Sequence, residues 1–233
     1  NIVEMLHAGS RDVGFAGKDW VVEKKLELVE LLDTRLDPVR IVAAAPTTLL
    51  EDGTLPQKHL VVASEYVGLT HDWIEREGLD ARFVRSYGAT EVFPPEDADV
   101  IVDNTATGST LRANGLSIVD EIMTSSTRLY ANPKVLDDRE RRALVDDLVL
   151  LLRSVIEARQ RVMIELNVPN ESFDAVIDIL PCMREPTVSR LHHEAGFAVK
   201  AAVPVTGIAE LIPRLKAAGG TDIVVSNLSQ IVP

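Results

Sequence analysis

Asp99-Val100-Ile101-Val102-Asp103-Asn104-Thr105-Ala106-Thr107-Gly108-Ser109-Thr110-Leu111 is the stretch that decides the fold of this 233-residue chain. An apolar run bounded by acids leads into a hydroxyl-rich turn around one glycine, then into a helical start. At the carboxyl end of a parallel strand, such a turn aims successive N–H groups at one spot, and Thr107, Ser109 and Thr110 add hydroxyl donors. Asp103, at the strand tip, is placed to accept hydrogen bonds from neutral sugar hydroxyls. A phosphate cradle beside a carboxylate points to a phosphorylated ribose. The same spacing describes, with even weight, an ordinary strand-to-helix turn in which Asp and Thr cap the helix.

Working outward, the strand candidates up to about residue 132 are Val39–Ala44, Leu60–Ala63, Ala81–Val84, Val100–Val102 and Thr127–Tyr130. Short, apolar on both faces and separated by helical patterns, several of them are what buried parallel strands require. Asn1 enters a short amphipathic helix over Ile2–Leu6 ahead of a strand at Val13–Ala16. Thr70 is a candidate N-cap for a helix through Trp73 and Ile74 that stops at Gly78. Asp137 or Asp138 can cap a long amphipathic helix carrying Leu144, Leu148, Leu151, Leu152 and Ile156. Pattern alone leaves open whether that stripe packs within its own chain or against a partner.

The last seventy or so residues read as a second unit. A strand at Val162–Leu166, a helix at Ser172–Leu180, extended runs at Thr187–Leu191 and Ala198–Val203, a helix at Ile208–Ala218 and a strand at Ile223–Val225 give the order βαββαβ. That order is the ferredoxin-like arrangement. It holds no catalytic constellation, so a binding or regulatory role is expected.

Composition narrows the function classes. A chain this long buries roughly 70 % of its unfolded surface and needs neither disulfide nor metal to hold a core. Lys and Arg number 24 against 36 Asp and Glu, a net charge of −12, which argues against a nucleic-acid partner. No apolar run reaches the roughly 18 residues that cross a bilayer, so no membrane partner is expected. The single cysteine, Cys182, fits a small apolar core residue and a reducing compartment, with the cytoplasm the expected location. His192-His193 is not expected to bind metal, because adjacent strand residues point to opposite faces and no Cys or His lies at ligand spacing. His7, His59 and His71 read as structural.

The Asp103–Leu111 segment resembles the 5-phosphoribosyl 1-diphosphate (PRPP) signature of the ATP phosphoribosyltransferase family, in which an acidic residue precedes a Thr-Gly-x-Thr-Leu turn. Arg112-Ala113-Asn114-Gly115-Leu116, Gly14-Phe15-Ala16-Gly17-Lys18-Asp19, Glu185-Pro186-Thr187-Val188 and Ile212-Pro213-Arg214-Leu215-Lys216 match in order along nearly the whole chain. The carboxyl-terminal unit is similar to that of the family's long form. The resemblance implies an α/β fold: a two-lobed, periplasmic-binding-protein-like (type II) catalytic region followed by a ferredoxin-like regulatory domain. Lobe I would comprise 1–39 and 132–160, lobe II 40–131 and the regulatory domain 161–233.

The implied reaction is transfer of the phosphoribosyl group from PRPP to N1 of ATP, with diphosphate leaving, at the first step of histidine biosynthesis and under histidine inhibition. It also implies magnesium (Mg2+) as cofactor and a homo-oligomer, dimeric and hexameric. By resemblance, Asp103 is the catalytic residue and contacts the ribose hydroxyls. Thr105, Ala106, Thr107, Gly108, Ser109 and Thr110 hold the 5-phosphate. Asp19 and Glu91 belong to the nucleotide site, and Asn167 and Thr187 to the histidine site. Read from the residues alone, Glu91 and Glu65 are weaker candidates, for which solvated surface carboxylates are the plainer reading.

The chain departs from the family pattern in two places. The loop from Glu91 to Asp97 is one residue short, with an acid where glycine is usual. The family's opening strand and Lys-Gly-Arg turn have no counterpart, and the expectation is an omitted or disordered amino terminus. An alternative function is a non-catalytic nucleotide or amino-acid sensor on the same fold.

Overall fold

Two strands carry the amino-terminal unit, and both outrun their sequence pattern. In the computed structural model, which describes residues 1–232, the chain opens with helix α1 (Ile2–His7), strand β1 (Val13–Gly17) and helix α2 (Lys18–Lys24), then enters β2 (Val29–Pro46). β3 (Leu60–Ser64), α3 (Val67–Glu77), β4 (Ala81–Arg85), β5 (Val100–Thr105) and α4 (Ser109–Ala113) follow, and β6 (Leu116–Ala131) returns along β2. The strands form one sheet in the order β1-β6-β2-β5-β3-β4. β3 is parallel to β4 and β5, whereas β2 runs antiparallel to β5 and β6.

The pleat of β5 explains its apolar run. Val100 and Val102 face one core with Ile41, Val62 and Trp73, while Ile101 faces another with Val42, Ala63 and Leu111. Both faces are covered, so alternation disappears from the sequence, as it does in parallel strands. A separate core of Val3, Leu6, Ala16 and Tyr130, with Trp20 and Val21 packed on it, forms under α1 and α2. β6 joins this core through Tyr130, β2 contributes Ile41 and Val42 to the other two, and Trp20 packs on the cores of both Tyr130 and Ile41.

The expected strands at Val39–Ala44 and Thr127–Tyr130 are only the apolar segments of β2 and β6. The remainder was hidden because the two strands shift register at several bulges, and because Arg35 and Asp37 adopt positive φ next to Pro38. Charged, half-exposed and bulged, this backbone has no clean period of two. Thr70 is not an N-cap: α3 starts at Val67, and the Thr70 hydroxyl donates to the Tyr66 carbonyl inside the helix. The cap comes from another element, since the Glu23 carboxylate of α2 accepts the N–H groups of Gly68 and Leu69 at 3.0 and 2.9 Å. Gly78 does close α3, in the left-handed conformation with φ 63°.

After α5 (Pro133–Asp137), α6 (Arg139–Arg159) begins under an Asp138 cap, whose Oδ1 accepts from the N–H groups of Glu140 and Arg141. The chain divides into two compact units within this helix, between Val145 and Asp146. Its buried positions are Val145, Ser154 and Ala158, while Leu144 is 70 % and Leu151 54 % exposed. Of the expected stripe, Leu152 and Ile156 are half-buried on the side of Val145, while Leu144, Leu148 and Leu151 are exposed.

The second unit folds as β7 (Arg161–Val168), α7 (Phe173–Ile177), β8 (Thr187–Arg190), β9 (Phe197–Pro204), α8 (Ile208–Ala217) and β10 (Thr221–Asn227). Its sheet order is β10-β7-β9-β8, antiparallel throughout, which is the ferredoxin-like topology. Val162, Ile164, Leu166 and Val168 pack against Val176, Leu211 and Leu215, leaving Met163, Glu165 and Asn167 on the opposite face. Cys182 packs against this core. His192 and His193 lie in a turn, not a strand, with their rings edge to face at 3.8 Å. Among the described residues, no helix is long and apolar enough to cross a membrane.

Candidate functional site

The carboxyl ends of β3 and β5 lie side by side, because the strands are parallel and Ser64 pairs with Val102. The segments that leave them therefore face one another, the usual place for a ligand in an open α/β sheet. A cavity of about 460 Å³ opens there, lined by Asp103–Thr107, Ser109–Leu111, Gly88–Glu91, Glu65 and Val39. Five of the six expected PRPP-loop residues are on its wall, with Asp103 and Glu91. Gly108 is not.

The loop is braced internally. Gly108 takes the left-handed conformation, with φ 73°, and its N–H donates to Thr105 Oγ1 at 2.9 Å. That N–H is already engaged within the protein, and Thr105 acts as the brace that holds it. Thr107 Oγ1 donates to Ser109 Oγ at 2.9 Å, and the Arg112 guanidinium donates to the Thr107 carbonyl at 3.1 Å. The chain thus enters α4 as a preformed hydroxyl-rimmed cup rather than a slack loop.

The charge of the wall is negative. Asp103, Glu65 and Glu91 supply three carboxylates, and no Lys or Arg is among the lining residues. Burial pushes the Asp103 carboxyl up to about 6; the Asn104 N–H, donating to its Oδ1 at 2.7 Å, opposes this, and the carboxylates of Glu91 and Glu65 add to the rise. Glu65 and Glu91 therefore belong to the cavity and are not simply solvated surface acids.

Asp19, expected in the nucleotide site, is a buried residue. It is 5 % exposed at the start of α2 and is not on the cavity wall. Its Oδ1 accepts from Ser125 Oγ and its Oδ2 from the Tyr66 hydroxyl, each at 2.7 Å. Sequence reasoning also passed over Tyr66 and Asn104. The signal for both was position, since Tyr66 follows the carboxyl end of β3 and Asn104 lies in the last residues of β5.

In the second unit, Asn167 and Thr187 come together on one cavity of about 460 Å³ on the sheet face away from the helices, with Glu165, Lys200 and Asp222. Asn167 Nδ2 donates to Asp222 Oδ2 at 3.0 Å, and Lys200 pairs with Glu165. Among the described residues, no three His, Cys, Asp or Glu side chains are grouped to hold a metal ion. The carboxylates of the first cavity do not form a protein cage for Mg2+.

Fold and sites together define a class of protein: a two-lobed α/β ligand-binding unit with a polar cavity at its parallel strand ends, followed by a ferredoxin-like unit with a second polar cavity. Residues 1–154 match the family described as ATP phosphoribosyltransferase, and residues 158–230 match the one described as HisG, C-terminal domain. An ATP phosphoribosyltransferase from Pelodictyon phaeoclathratiforme is 37 % identical, the match covering 98 % of this chain and 81 % of that protein. One from Pelotomaculum thermopropionicum is 34 % identical, covering 100 % of this chain and 82 % of that protein. Among solved structures, the ATP phosphoribosyl transferase (HisG:HisZ) complex from Thermotoga maritima is similar at 29 % identity with a TM-score of 0.60, covering 67 % of this chain and 75 % of that one. The chain belongs to the ATP phosphoribosyltransferase family, pentosyl-transferring enzymes of histidine biosynthesis, and carries both parts of the long form.

Proposed function

We propose that the chain transfers the phosphoribosyl group of PRPP to N1 of ATP, releasing diphosphate, and that histidine bound to the second unit inhibits the transfer. The observation that carries this reading is the cavity in which Asp103 stands beside the hydroxyl-rich loop, with family membership supplying the reaction. The ribose hydroxyls donate to Asp103, and Ser109 and Thr110 offer hydroxyl donors to the 5-phosphate, with Thr107 bracing Ser109 through its own donated proton. This pins the sugar at both ends and leaves its anomeric carbon exposed to attack. Holding two large anions in register is the main catalytic task, since N1 of adenine is itself the nucleophile and needs no dedicated base.

The acidic wall bears on the metal. Asp103, Glu65 and Glu91 would repel a bare diphosphate, and Mg2+ would supply charge neutralisation to that leaving group. On the second unit, an amino acid finds an ammonium in Lys200, carboxylates in Glu165 and Asp222, and amide and hydroxyl partners in Asn167 and Thr187. That mixture of signs suits a zwitterion.

The deciding experiment mixes the protein with ATP, PRPP and Mg2+ and follows the absorbance of phosphoribosyl-ATP. Product that requires all three components supports the reading. Tight PRPP or ATP binding with no turnover would replace it with a sensor function.

A further inference from the structure

Beneath the cavity wall lies a chain of buried polar groups that the reaction does not consume. The Asp19 N–H donates to Ser125 Oγ at 3.1 Å, so the Ser125 hydroxyl proton is left to donate to Asp19 Oδ1. The Tyr66 hydroxyl donates to Asp19 Oδ2. Burial, followed by this bond to Asp19, drives the phenol far above its ordinary pKa, so Tyr66 stays protonated. Its proton is committed to Asp19, so toward Asn104 the Tyr66 oxygen can only accept. Asn104 must therefore present its NH2 group and not its carbonyl, and Nδ2 lies 3.3 Å from the Tyr66 oxygen. The same nitrogen is 3.4 Å from Asp103 Oδ1, which also receives the Asn104 backbone N–H. Trp20 packs on the Tyr66 ring at 4.9 Å and holds it in place.

We propose that Asp19 and Tyr66 are positioning residues for Asp103: through Asn104 they aim its side-chain amide at Oδ1, beside the backbone N–H, which favours the ionised form of Asp103 and leaves Oδ2 free to receive the ribose. The direction of every bond follows from one buried carboxylate at the far end of the chain, which can only accept. The device spans the lobes, since Asp19 lies on α2, Ser125 on β6, Tyr66 beyond β3 and Asn104 on β5. The groups acting on Asp103 from other elements are Glu91 in its turn and Glu65 beyond β3, both of which oppose its ionisation. On β2, Arg40 lies two residues from Val42, the Asp103 partner, and is engaged with Glu121. The Asn104 backbone N–H opposes the two acids, and the oriented Asn104 amide adds a second donor to the same oxygen.

This inference rests on the reading of Asp103 as the ribose-holding group, and the test separates the two. PRPP affinity is measured by calorimetry from pH 5 to 8.5 with Mg2+ present. The wild-type protein should lose affinity as pH falls through about 6, and Asp103→Asn should bind weakly at every pH; an Asp103→Asn profile equal to wild type would remove the ribose reading itself. With that limb established, Tyr66→Phe frees the Asn104 amide, and Asp19→Asn lets residue 19 donate to Tyr66, whose proton then turns toward Asn104 and reverses the amide. Both changes should move the acid limb upward by roughly half a unit to one unit, with affinity recovering at high pH. A folded variant whose limb coincides with wild type overturns the positioning role and leaves the ribose reading intact. In the wild-type protein, the side-chain amide resonances of Asn104 should titrate with Asp103, and their failure to do so overturns the proposal whatever the variants' stability.

Discussion

At Asp103, function and stability pull in opposite directions. Its carboxyl is held near 6 against an ordinary 3.8, so between these values the folded state keeps a proton that the unfolded state has lost. Stability from this group is full below about 3.8 and is lost as pH rises through about 6. Asp103→Asn removes the buried charge and its repulsion by Glu65 and Glu91, while the new Oδ1 can still accept the residue 104 N–H. The variant is expected to melt at a higher temperature than wild type at pH 7 and with no advantage at pH 4, and to lose activity on the order of 10²-fold. A lower melting temperature at pH 7 would show that the charge is not strained. Gly108 carries a second residue-scale prediction: a Cβ there stands 3.0 Å from Arg112 Nη1 on a backbone with φ 73°. Gly108→Ala should cost about 1 kcal/mol in a melt and weaken PRPP binding by dislodging Arg112 from the Thr107 carbonyl. The loop and Asp103 were legible as residues because strand, acid and turn are contiguous. Glu65 and the Gly88–Glu91 turn reach the cavity from other elements, so the residues alone mark Glu65 and Glu91 only weakly.

Elements were legible where burial is symmetric or where the cap is local. β3 and β5 stand out because apolar residues on both faces leave no alternative. β2 and β6 did not, because bulges break their period and one sequence must serve two lobes. The start of α3 was misread because its cap is Glu23, far along the chain, whereas Asp138 caps α6 from the adjacent position. Asp138 therefore offers a clean element-scale test. Asp138→Ala leaves the N–H groups of Glu140 and Arg141 without that acceptor, and should destabilise the protein by about 1 kcal/mol. Amide exchange should quicken over residues 139–143 and stay unchanged in β5; uniform loss of protection would mean that the helix start is not a separately frayed segment. The leucine stripe of α6 carries the opposite lesson. Leu144 and Val145 sit on neighbouring columns of one apolar surface, and periodicity finds the surface without choosing which column is covered.

For the whole molecule, two cavities of like size in two separate units raise the question of how one could govern the other. Thermodynamics constrains the answer without reference to their arrangement. If histidine in the cavity of Asn167 and Thr187 weakens PRPP binding by some factor, then PRPP must weaken histidine binding by the same factor. A coupling of 1 to 3 kcal/mol, typical of such linkage, corresponds to roughly 5- to 150-fold. Calorimetric titration of each ligand with and without saturating amounts of the other should therefore give two equal ratios above one. Asn167→Ala should weaken histidine binding, because it removes an amide from the cavity and releases Asp222, while PRPP affinity without histidine stays at the wild-type value. Ratios that both equal one would mean that histidine does not act through PRPP binding. If Asn167→Ala left histidine affinity untouched, the effector would belong to a different surface, and the polar face of the ferredoxin-like sheet would need another ligand.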